Sequence, residues 1–259
     1  MEHEERLRLA SSFGAVATEY ASHRPDYAVD AVRWAIELAP GPRVLDLGAG
    51  TGKLTATLVA LGVDAIAVEP DPAMLAELHR DLPTVRALSG SAEVIPLPDA
   101  SVDAVVAGNA MHWFDMDLAG PEIARVLRSN GTLAGLWNVF DDRVGWVAEL
   151  AAVGGSEALG TRDTLSGWRT ATIDAHLPRR SSRARFGSPE QAEFAHGQRR
   201  NAPSLVATFA TKAGILVMPD EERRARLTRL LAFLENRPET ARGEFTVPML
   251  TGVLRVRRL

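Results

Sequence analysis

The stretch Val44-Leu45-Asp46-Leu47-Gly48-Ala49-Gly50-Thr51-Gly52 joins an apolar run to a glycine-rich turn. Residues 43–47 have the length and apolarity of a strand, and residues 53–61 continue as a helix that Gly62 ends. Glycines at alternate positions let the backbone bend sharply and let a ligand approach it closely. The stretch therefore predicts a strand, a tight turn and a helix, with a ligand site at the turn.

The alternation of strand and helix continues to about residue 137, which predicts an α/β fold with a doubly wound, mostly parallel sheet. Runs that are apolar on both faces, such as residues 102–107, are typical of parallel strands covered by helices. Asp71 and Pro72 mark the start of the helix after the second strand. The predicted strands are residues 43–47, 64–69, 85–88, 103–107 and 132–136.

The pattern is less regular on both sides of this region. Residues 1–40 are predicted to be helical, with one helix opening at Pro25-Asp26, and residues 138–180 to form an insertion over the ligand edge of the sheet. The remaining predictions are a sixth strand at 183–186, a helical segment at 189–211, a helix at 219–236 and a last strand or hairpin at 245–258.

Composition narrows the class of protein. A chain of 259 residues with 46% hydrophobic residues is long enough for one α/β domain with a small cap. No apolar run reaches the roughly 18 residues of a membrane span and the N-terminus lacks a signal-peptide core, so we expect a cytoplasmic protein with no membrane partner. The chain has no cysteine and no metal-ligand spacing among its histidines, and a net charge of −4 gives no reason to expect a nucleic-acid partner.

Charge and spacing argue against a phosphate ligand at the turn. A pyrophosphate would meet the like charge of Asp46 at short range, whereas a ligand with an ammonium and a sulfonium group would be attracted. A dinucleotide fingerprint needs a small residue where Lys53 stands, and a P-loop needs Gly at position 47 and Ser or Thr at 54, where this chain has Leu.

Residues 44–52 resemble motif I of the class I S-adenosylmethionine-dependent methyltransferases, (V/I)-L-D-x-G-x-G-x-G. The resemblance implies S-adenosylmethionine as cofactor and a Rossmann-like, seven-stranded sheet with an antiparallel C-terminal hairpin and a helical cap. It implies one methyltransferase domain over residues 1–259. Within it we expect lid helices at 1–40, a cofactor-binding core at 43–137, a cap at 138–180, and the remainder of the sheet with its covering helices at 181–259.

The resemblance also implies which residues hold the cofactor, because ligands of open α/β sheets bind outside the carboxyl ends of the strands. Glu69, at the end of the second strand, is expected to accept hydrogen bonds from the ribose hydroxyls; the alternative is a solvated acid in a turn. The candidates around the first two turns are Asp46, Gly48, Ala49, Gly50, Gly52, Glu69 and Pro70.

The loop Gly90-Ser91-Ala92-Glu93 follows the third strand, where the family binds adenine. Ser91 stands where many relatives have Asp, and the resemblance implies that Ser91 and the Ala92 amide contact the ring. Glu93 is predicted to start a helical turn. Residues 96–101 suit a turn without any chemical role.

The segment after the fourth strand, residues 109–115, is expected to face both cofactor and acceptor. Asn109 is a cofactor candidate, and the run from His112 to Asp115 resembles small-molecule methyltransferases of the trans-aconitate type. His112 is a candidate base and Trp113 a candidate wall of the acceptor pocket or cation–π partner. The alternatives are a histidine that only packs and a core tryptophan.

The N-terminal run that contains Tyr20, Arg24 and Tyr27 resembles the lid segment of the family. Tyr20 and Arg24 are four residues apart and share a helix face. The resemblance implies that Arg24 pairs with the methionine carboxylate and Tyr20 helps to close the pocket; the alternative is two surface groups. The arginine clusters at 179–185, 199–200 and 255–258 are interpreted mainly as solvated surface, with one arginine in 179–200 as a candidate for an acidic acceptor.

Together these features predict methyl transfer from S-adenosylmethionine to a small molecule, with O-methylation of a carboxylate or hydroxyl. Asn109 is followed by Ala-Met-His and not by the Pro-Pro of DNA amino methyltransferases. Two alternatives stay open, a non-catalytic S-adenosylmethionine-binding module and an NAD(P)-dependent oxidoreductase, as do the acceptor and the oligomeric state.

Overall fold

The computed structural model describes residues 12–160, 162–171, 177–178 and 185–259. Seven strands form one sheet in the order β3-β2-β1-β4-β5-β7-β6. Strands β1 to β5 pair in parallel, and β5, β7 and β6 are antiparallel neighbours. The strands are β1 Arg43–Leu47, β2 Asp64–Glu69, β3 Arg86–Ser89, β4 Val102–Gly108, β5 Leu127–Phe140, β6 Glu190–Arg200 and β7 Phe245–Arg257. The doubly wound, mostly parallel seven-stranded sheet is thereby confirmed.

Helices connect most of the strands. The helices are α1 Ala17–His23, α2 Val29–Ile36, α3 Lys53–Ala60, α4 Pro72–Asp81, α5 Met116–Val126, α6 Gly145–Ala158, α7 Leu165–Ala171, α8 Ala202–Ala210, α9 Ala213–Leu216 and α10 Asp220–Glu235. Asp71 caps α4 by accepting from the amides of Ala73 and Met74, with Pro72 in the first turn. None of the helices in the described ranges has both the length and the apolarity to cross a membrane.

The central strands are buried because their side chains are apolar on both faces. Every residue of β4 from Val102 to Ala107 is buried. The polar exception is Asp103, which is 1% exposed. Its carboxylate accepts from the Arg43 amide at 3.0 Å and from Arg128 Nη1 at 2.9 Å, so its charge is compensated at the start of β4.

The chain divides into two compact units, each built from several segments of the chain. The larger unit comprises residues 26–137, 177–178, 185–194 and 251–259, and the smaller comprises residues 12–25, 138–160, 162–171 and 195–250. Branched side chains of α2, α3, β1 and β4 fill the core of the larger unit. Aromatic and leucine side chains of α6, α8 and α10 fill the core of the smaller unit, among them Phe209, Leu230 and Leu234.

The prediction of a helical segment over residues 189–211 was wrong for its first half. Residues 190–200 form strand β6, and only Ala202–Ala210 is helical. The exposure of side chains alternates over residues 194–200 of β6, which is the period of a strand, and pairing at the sheet edge outweighs the local helix propensity. The sequence does contain the true helix start, because Asn201 and Ser204 form a capping box.

Two smaller predictions also need correction. The sixth strand was expected at residues 183–186, but residues 183–184 lie outside the described part and Phe186 forms only an isolated bridge with Arg258. The helix expected to open at Pro25 begins at Val29. Strands β6 and β7 are antiparallel neighbours, as the resemblance implied, although residues 201–244 connect them and the link is no tight hairpin.

Candidate functional site

The glycine-rich turn lies between the ends of β1 and β2. The amides of Gly48 and Ala49 both donate to the Val68 carbonyl, at 2.9 and 3.1 Å. Gly48 has a φ of 70°, and a Cβ at this position would lie 2.9 Å from the Cβ of Ala110. Only glycine fits there, because both the backbone conformation and the approach of the loop after β4 exclude a side chain.

Glu69 connects the first two turns. Its Oε2 accepts from the Gly50 amide at 2.8 Å and its Oε1 from the Asp71 amide at 3.0 Å. The residue is 7% exposed, and burial raises the pKa of the carboxyl. Glu69 is therefore no solvated acid in a turn. Each carboxylate oxygen has a further lone pair, so the group retains capacity to accept hydrogen bonds from hydroxyls.

Asp46 is more deeply buried than Glu69, and fewer hydrogen bonds compensate the burial of its carboxylate. Its side chain is fully buried and its Oδ2 accepts from Thr55 Oγ1 at 2.6 Å. The other oxygen, Oδ1, has no donor among the described residues. Burial raises the pKa of Asp46 to about 7, against the opposing effect of the Thr55 hydrogen bond, and the charge of Glu69 raises it further. The carboxyl thus titrates near neutrality.

The loop after β3 is a tight turn. Ser91 and Val94 close it through a pair of backbone hydrogen bonds, at 3.4 and 3.3 Å. Glu93 lies inside this turn and does not start a helical turn, so that prediction was wrong. Its Oε1 instead accepts from the Asp115 amide at 2.9 Å. The side chain thus ties the predicted adenine loop to the loop after β4, a contact that sequence reasoning missed.

The loop after β4 carries the predicted acceptor residues. Asn109 adopts a positive φ of 50°, and its amide donates to the Leu136 carbonyl at 2.7 Å. The ring of His112 lies 4.8 Å from that of Trp113, and both residues are partly exposed. Trp137 Nε1 donates to His112 Nδ1 at 3.4 Å. Trp137 is the buried core tryptophan of this region, and the sequence analysis did not single it out.

The larger unit therefore contains most of the predicted site residues, on the turns at the carboxyl ends of β1 to β4. Gly52 begins α3 and Pro70 follows Glu69 at the end of β2. The residues that share these turns are Asp46, Gly48, Ala49, Gly50, Gly52, Glu69, Pro70, Ser91, Ala92, Asn109, His112 and Trp113.

Tyr20 and Arg24 belong to the smaller unit. The Arg24 guanidinium lies 4.5 Å from the centre of the Tyr20 ring, and its Nη2 donates to the Thr211 carbonyl at 3.0 Å. Arg24 is 9% exposed, and its Nε has no acceptor among the described residues. Lys212 follows Thr211 and pairs with Asp163. Arg24 is thus a buried cation and no surface group.

The arginine clusters differ from one another. Arg179, Arg180 and Arg183 lie outside the described residues, whereas Arg199 is exposed and pairs with Glu244 at 2.5 Å. Arg255 is an exception to the interpretation of these clusters as mainly solvated surface. It is 5% exposed, stacks 3.6 Å from the centre of a tryptophan ring and pairs with two carboxylates; the partners are Trp34, Glu37 and Glu190.

Comparison with known proteins identifies the family. Residues 45–135 match the model of a methyltransferase domain. An uncharacterized methyltransferase of Mycobacterium tuberculosis is 37% identical over 251 residues, which is 96% of this chain and 97% of the relative. The chain belongs to the class I S-adenosylmethionine-dependent methyltransferases. It is a methyltransferase, and its cofactor is S-adenosylmethionine.

Two further likenesses are more distant. A malonyl-[acyl-carrier protein] O-methyltransferase of Methylococcus capsulatus is 35% identical to this methyltransferase over 140 residues, about half of each chain. A solved structure from Anaeromyxobacter dehalogenans, assigned to the type II methyltransferases, is 26% identical with a TM-score of 0.59 and covers 91% of this chain and 97% of its own. These likenesses support the family and the fold.

Proposed function

We propose that this methyltransferase transfers a methyl group from S-adenosylmethionine to an oxygen atom of a small molecule, preferentially a carboxylate. The observation that carries the cofactor part of this proposal is the pair of buried carboxylates at the glycine-rich turn, Asp46 and Glu69. They lie on adjacent parallel strands, and Glu69 accepts a hydrogen bond from the Gly50 amide inside the turn. A site with two acids suits a ligand with hydroxyl and ammonium groups and repels a pyrophosphate.

The cofactor fits these residues in several respects. Three of the four carboxylate oxygens of Asp46 and Glu69 accept a hydrogen bond, and the remaining one, Asp46 Oδ1, has no donor among the described residues. At Gly50, no atom lies within 4 Å of the position that a Cβ would occupy, so there is space for a ligand. We assign the ribose hydroxyls to Glu69 with Pro70 beside it, and the amino group to Asp46. We assign adenine to Ser91 and Ala92. The cradle is completed by Gly48, Ala49, Gly50, Gly52 and Asn109.

Arg24 is proposed to pair with the methionine carboxylate, and Tyr20 to support it. A buried guanidinium without a carboxylate partner among the described residues is costly, and a ligand carboxylate would offset that cost. Tyr20 holds the guanidinium by a cation–π contact. Lys212 lies near Arg24 and pairs with Asp163. Burial lowers the pKa of Lys212 most, the charge of Asp163 raises it, and the charge of Arg24 lowers it.

When bound, S-adenosylmethionine supplies a methyl group that is open to in-line attack by the acceptor oxygen. The protein contributes alignment and exclusion of water, so no protein nucleophile is required. Trp113 is proposed to shape the acceptor pocket.

His112 is the candidate for contact with the acceptor. Because Trp137 donates to its Nδ1, the neutral ring carries its proton on Nε2 and is a hydrogen-bond donor there. A donor suits a carboxylate acceptor, which needs no base, better than a hydroxyl, which needs one. The likeness to a malonyl-[acyl-carrier protein] O-methyltransferase over half the chain also supports an oxygen acceptor.

To test the proposal, the whole protein is incubated with methyl-labelled S-adenosylmethionine and a fractionated metabolite extract, in a buffer that mimics the cytoplasm. We expect the labelled methyl group in a small-molecule methyl ester, from which alkali releases labelled methanol. Label on RNA or protein would contradict the small-molecule assignment. The absence of label in every fraction would favour a non-catalytic binding module.

A further inference from the structure

Thr55 makes a contact that the motif does not require. It lies in α3, three residues beyond the last motif glycine, and its side chain is fully buried. Its hydroxyl donates to Asp46 Oδ2 at 2.6 Å, a distance typical of a hydroxyl that donates to a carboxylate. A threonine in a helix commonly bonds a carbonyl four residues earlier instead, as Thr57 does with the Lys53 carbonyl at 3.5 Å. The Thr55 hydroxyl is therefore committed to Asp46.

The charged and polar groups around Asp46 act in opposite directions. Burial and the negative charge of Glu69 both favour the neutral carboxyl. The hydroxyl and the backbone amide of Thr55 favour the carboxylate. Because the helix fixes the amide, the side-chain group among the described residues that favours ionisation of Asp46 is the Thr55 hydroxyl, through its hydrogen bond.

We propose that Thr55 is a positioning residue that keeps Asp46 ionised and oriented for the ammonium group of the cofactor. The inference rests on the proposed cofactor site. A carboxylate that holds this hydrogen bond presents Oδ1, which has no donor among the described residues, for the ligand. Without the hydroxyl, Asp46 becomes neutral near neutral pH and loses its attraction for a cation.

The experiment measures the affinity for S-adenosylhomocysteine by calorimetry over roughly pH 6 to 9, a window around the Asp46 titration. The variants are Thr55→Val, which has the same shape without the hydroxyl, and Thr55→Ser, which retains it. The ratio of variant to wild-type affinity is compared at each pH, because ionisation of the free ligand cancels in that ratio.

We expect Thr55→Val to bind about tenfold more weakly near pH 7 and to approach the wild-type affinity as the pH rises. The pH at the midpoint of the affinity change should rise by about one to two units, which corresponds to the free energy of one hydrogen bond to a charged group. Thr55→Ser should follow the wild type throughout. Thr57→Val is the matched control in the same helix, and its ratio should not change with pH.

A double variant separates positioning from packing. In an Asp46→Asn background, Thr55→Val should have no pH-dependent effect. A Thr55→Val deficit that is equal at every pH, or that persists in the Asp46→Asn background, would overturn the inference even though the cofactor site stands. If the folded wild type does not bind S-adenosylhomocysteine at any pH, the proposed function fails and the inference falls with it.

Discussion

Asp46 and Glu69 are neighbouring buried acids, and their hydrogen bonds assign them different tasks. Two backbone amides hold Glu69, so its position is fixed by the turns themselves. Asp46 depends on one hydroxyl and titrates near neutrality. Glu69 is thus suited to a steady hydrogen-bond contact with ribose, whereas the charge of Asp46 varies with pH in the physiological range.

Glu69→Ala should weaken binding of S-adenosylhomocysteine by roughly 10- to 100-fold. Hydrogen bonds to a charged group contribute about 1.5–3 kcal/mol, which gives this range. The fold should survive, since Glu69 ends its strand. Calorimetric titration measures the effect. Asp64→Ala is the control, because that carboxylate lies at the other end of β2 and pairs with Arg43 at the surface. Equal affinity in a folded Glu69→Ala protein would remove Glu69 from the site.

Asp46→Asn should change the pH dependence of stability of the cofactor-free protein. The pKa of Asp46 is raised by folding, so the unfolded chain releases this proton from about pH 4 while the folded protein keeps it until about pH 7. The wild type therefore loses stability as pH rises through that window, and the variant does not. Urea unfolding at several pH values should show the difference in unfolding free energy growing up to about pH 7 and then levelling. A constant difference would show that the pKa of Asp46 is ordinary.

The response to His112→Ala should depend on the acceptor. With a carboxylate acceptor, turnover should change little; a hydroxyl acceptor should lose about 10²–10⁴-fold, the usual contribution of a general base. Affinity for S-adenosylhomocysteine should stay nearly constant in either case. Steady-state kinetics with the acceptor found in the labelling experiment provide the measurement, with the exposed His79→Ala as control. A loss of 10²-fold or more in turnover with a carboxylate acceptor would contradict the proposal that such an acceptor needs no base.

The turn after β1 can be tested by a pair of glycines. Gly50 and Gly62 both have positive φ, 57° and 76°, and a Cβ at either would meet nothing within 4 Å. Alanine at either position therefore costs similar backbone strain, of about 1 kcal/mol or more. Only Gly50→Ala places a methyl group where the cofactor is proposed to lie, so it alone should also lose affinity for S-adenosylhomocysteine. Melting temperature and calorimetry separate the two effects; equal affinity in both variants would place the ligand elsewhere.

The elements most successfully predicted are those whose signal is local. The glycine-rich turn, the cap at Asp71 and the apolar runs of β1, β2 and β4 depend on neighbouring residues, and their bounds agree with the structure to within a residue. β6 depends on a partner strand distant in sequence, and its polar composition conceals it. The capping box at Asn201 was present in the sequence and would have placed the helix start correctly.

The same distinction holds among the site residues. Motif I and the strand end at Glu69 locate most of the predicted cofactor residues, because these residues follow directly after predicted strands in the sequence. The contacts of Trp137 with His112 and of Glu93 with Asp115 join segments 22 or more residues apart. Such contacts depend on side-chain packing, for which a single sequence holds no periodic signal. Thr55 is an intermediate case. Its position about one helical turn beyond the motif can be predicted from the sequence, but its hydrogen bond to Asp46 cannot.

In the whole molecule, two compact units form from discontinuous segments of one chain. The larger holds the glycine-rich turn and both buried acids, and the smaller holds Arg24 and its tyrosine partner. Sequence analysis expected lid, core and cap as consecutive regions. That division stays a prediction. The pairing of β5, β7 and β6 joins segments that are distant in sequence, which local sequence patterns do not reveal.

Titration of the intact protein with S-adenosylhomocysteine and, separately, with NADPH tests whether the two acids at the turn select a nucleoside with an ammonium group over a pyrophosphate. We expect S-adenosylhomocysteine to bind with micromolar affinity and to raise the melting temperature by linkage to the folded state, while NADPH does neither. Stabilisation by NADPH without any response to S-adenosylhomocysteine would contradict the account.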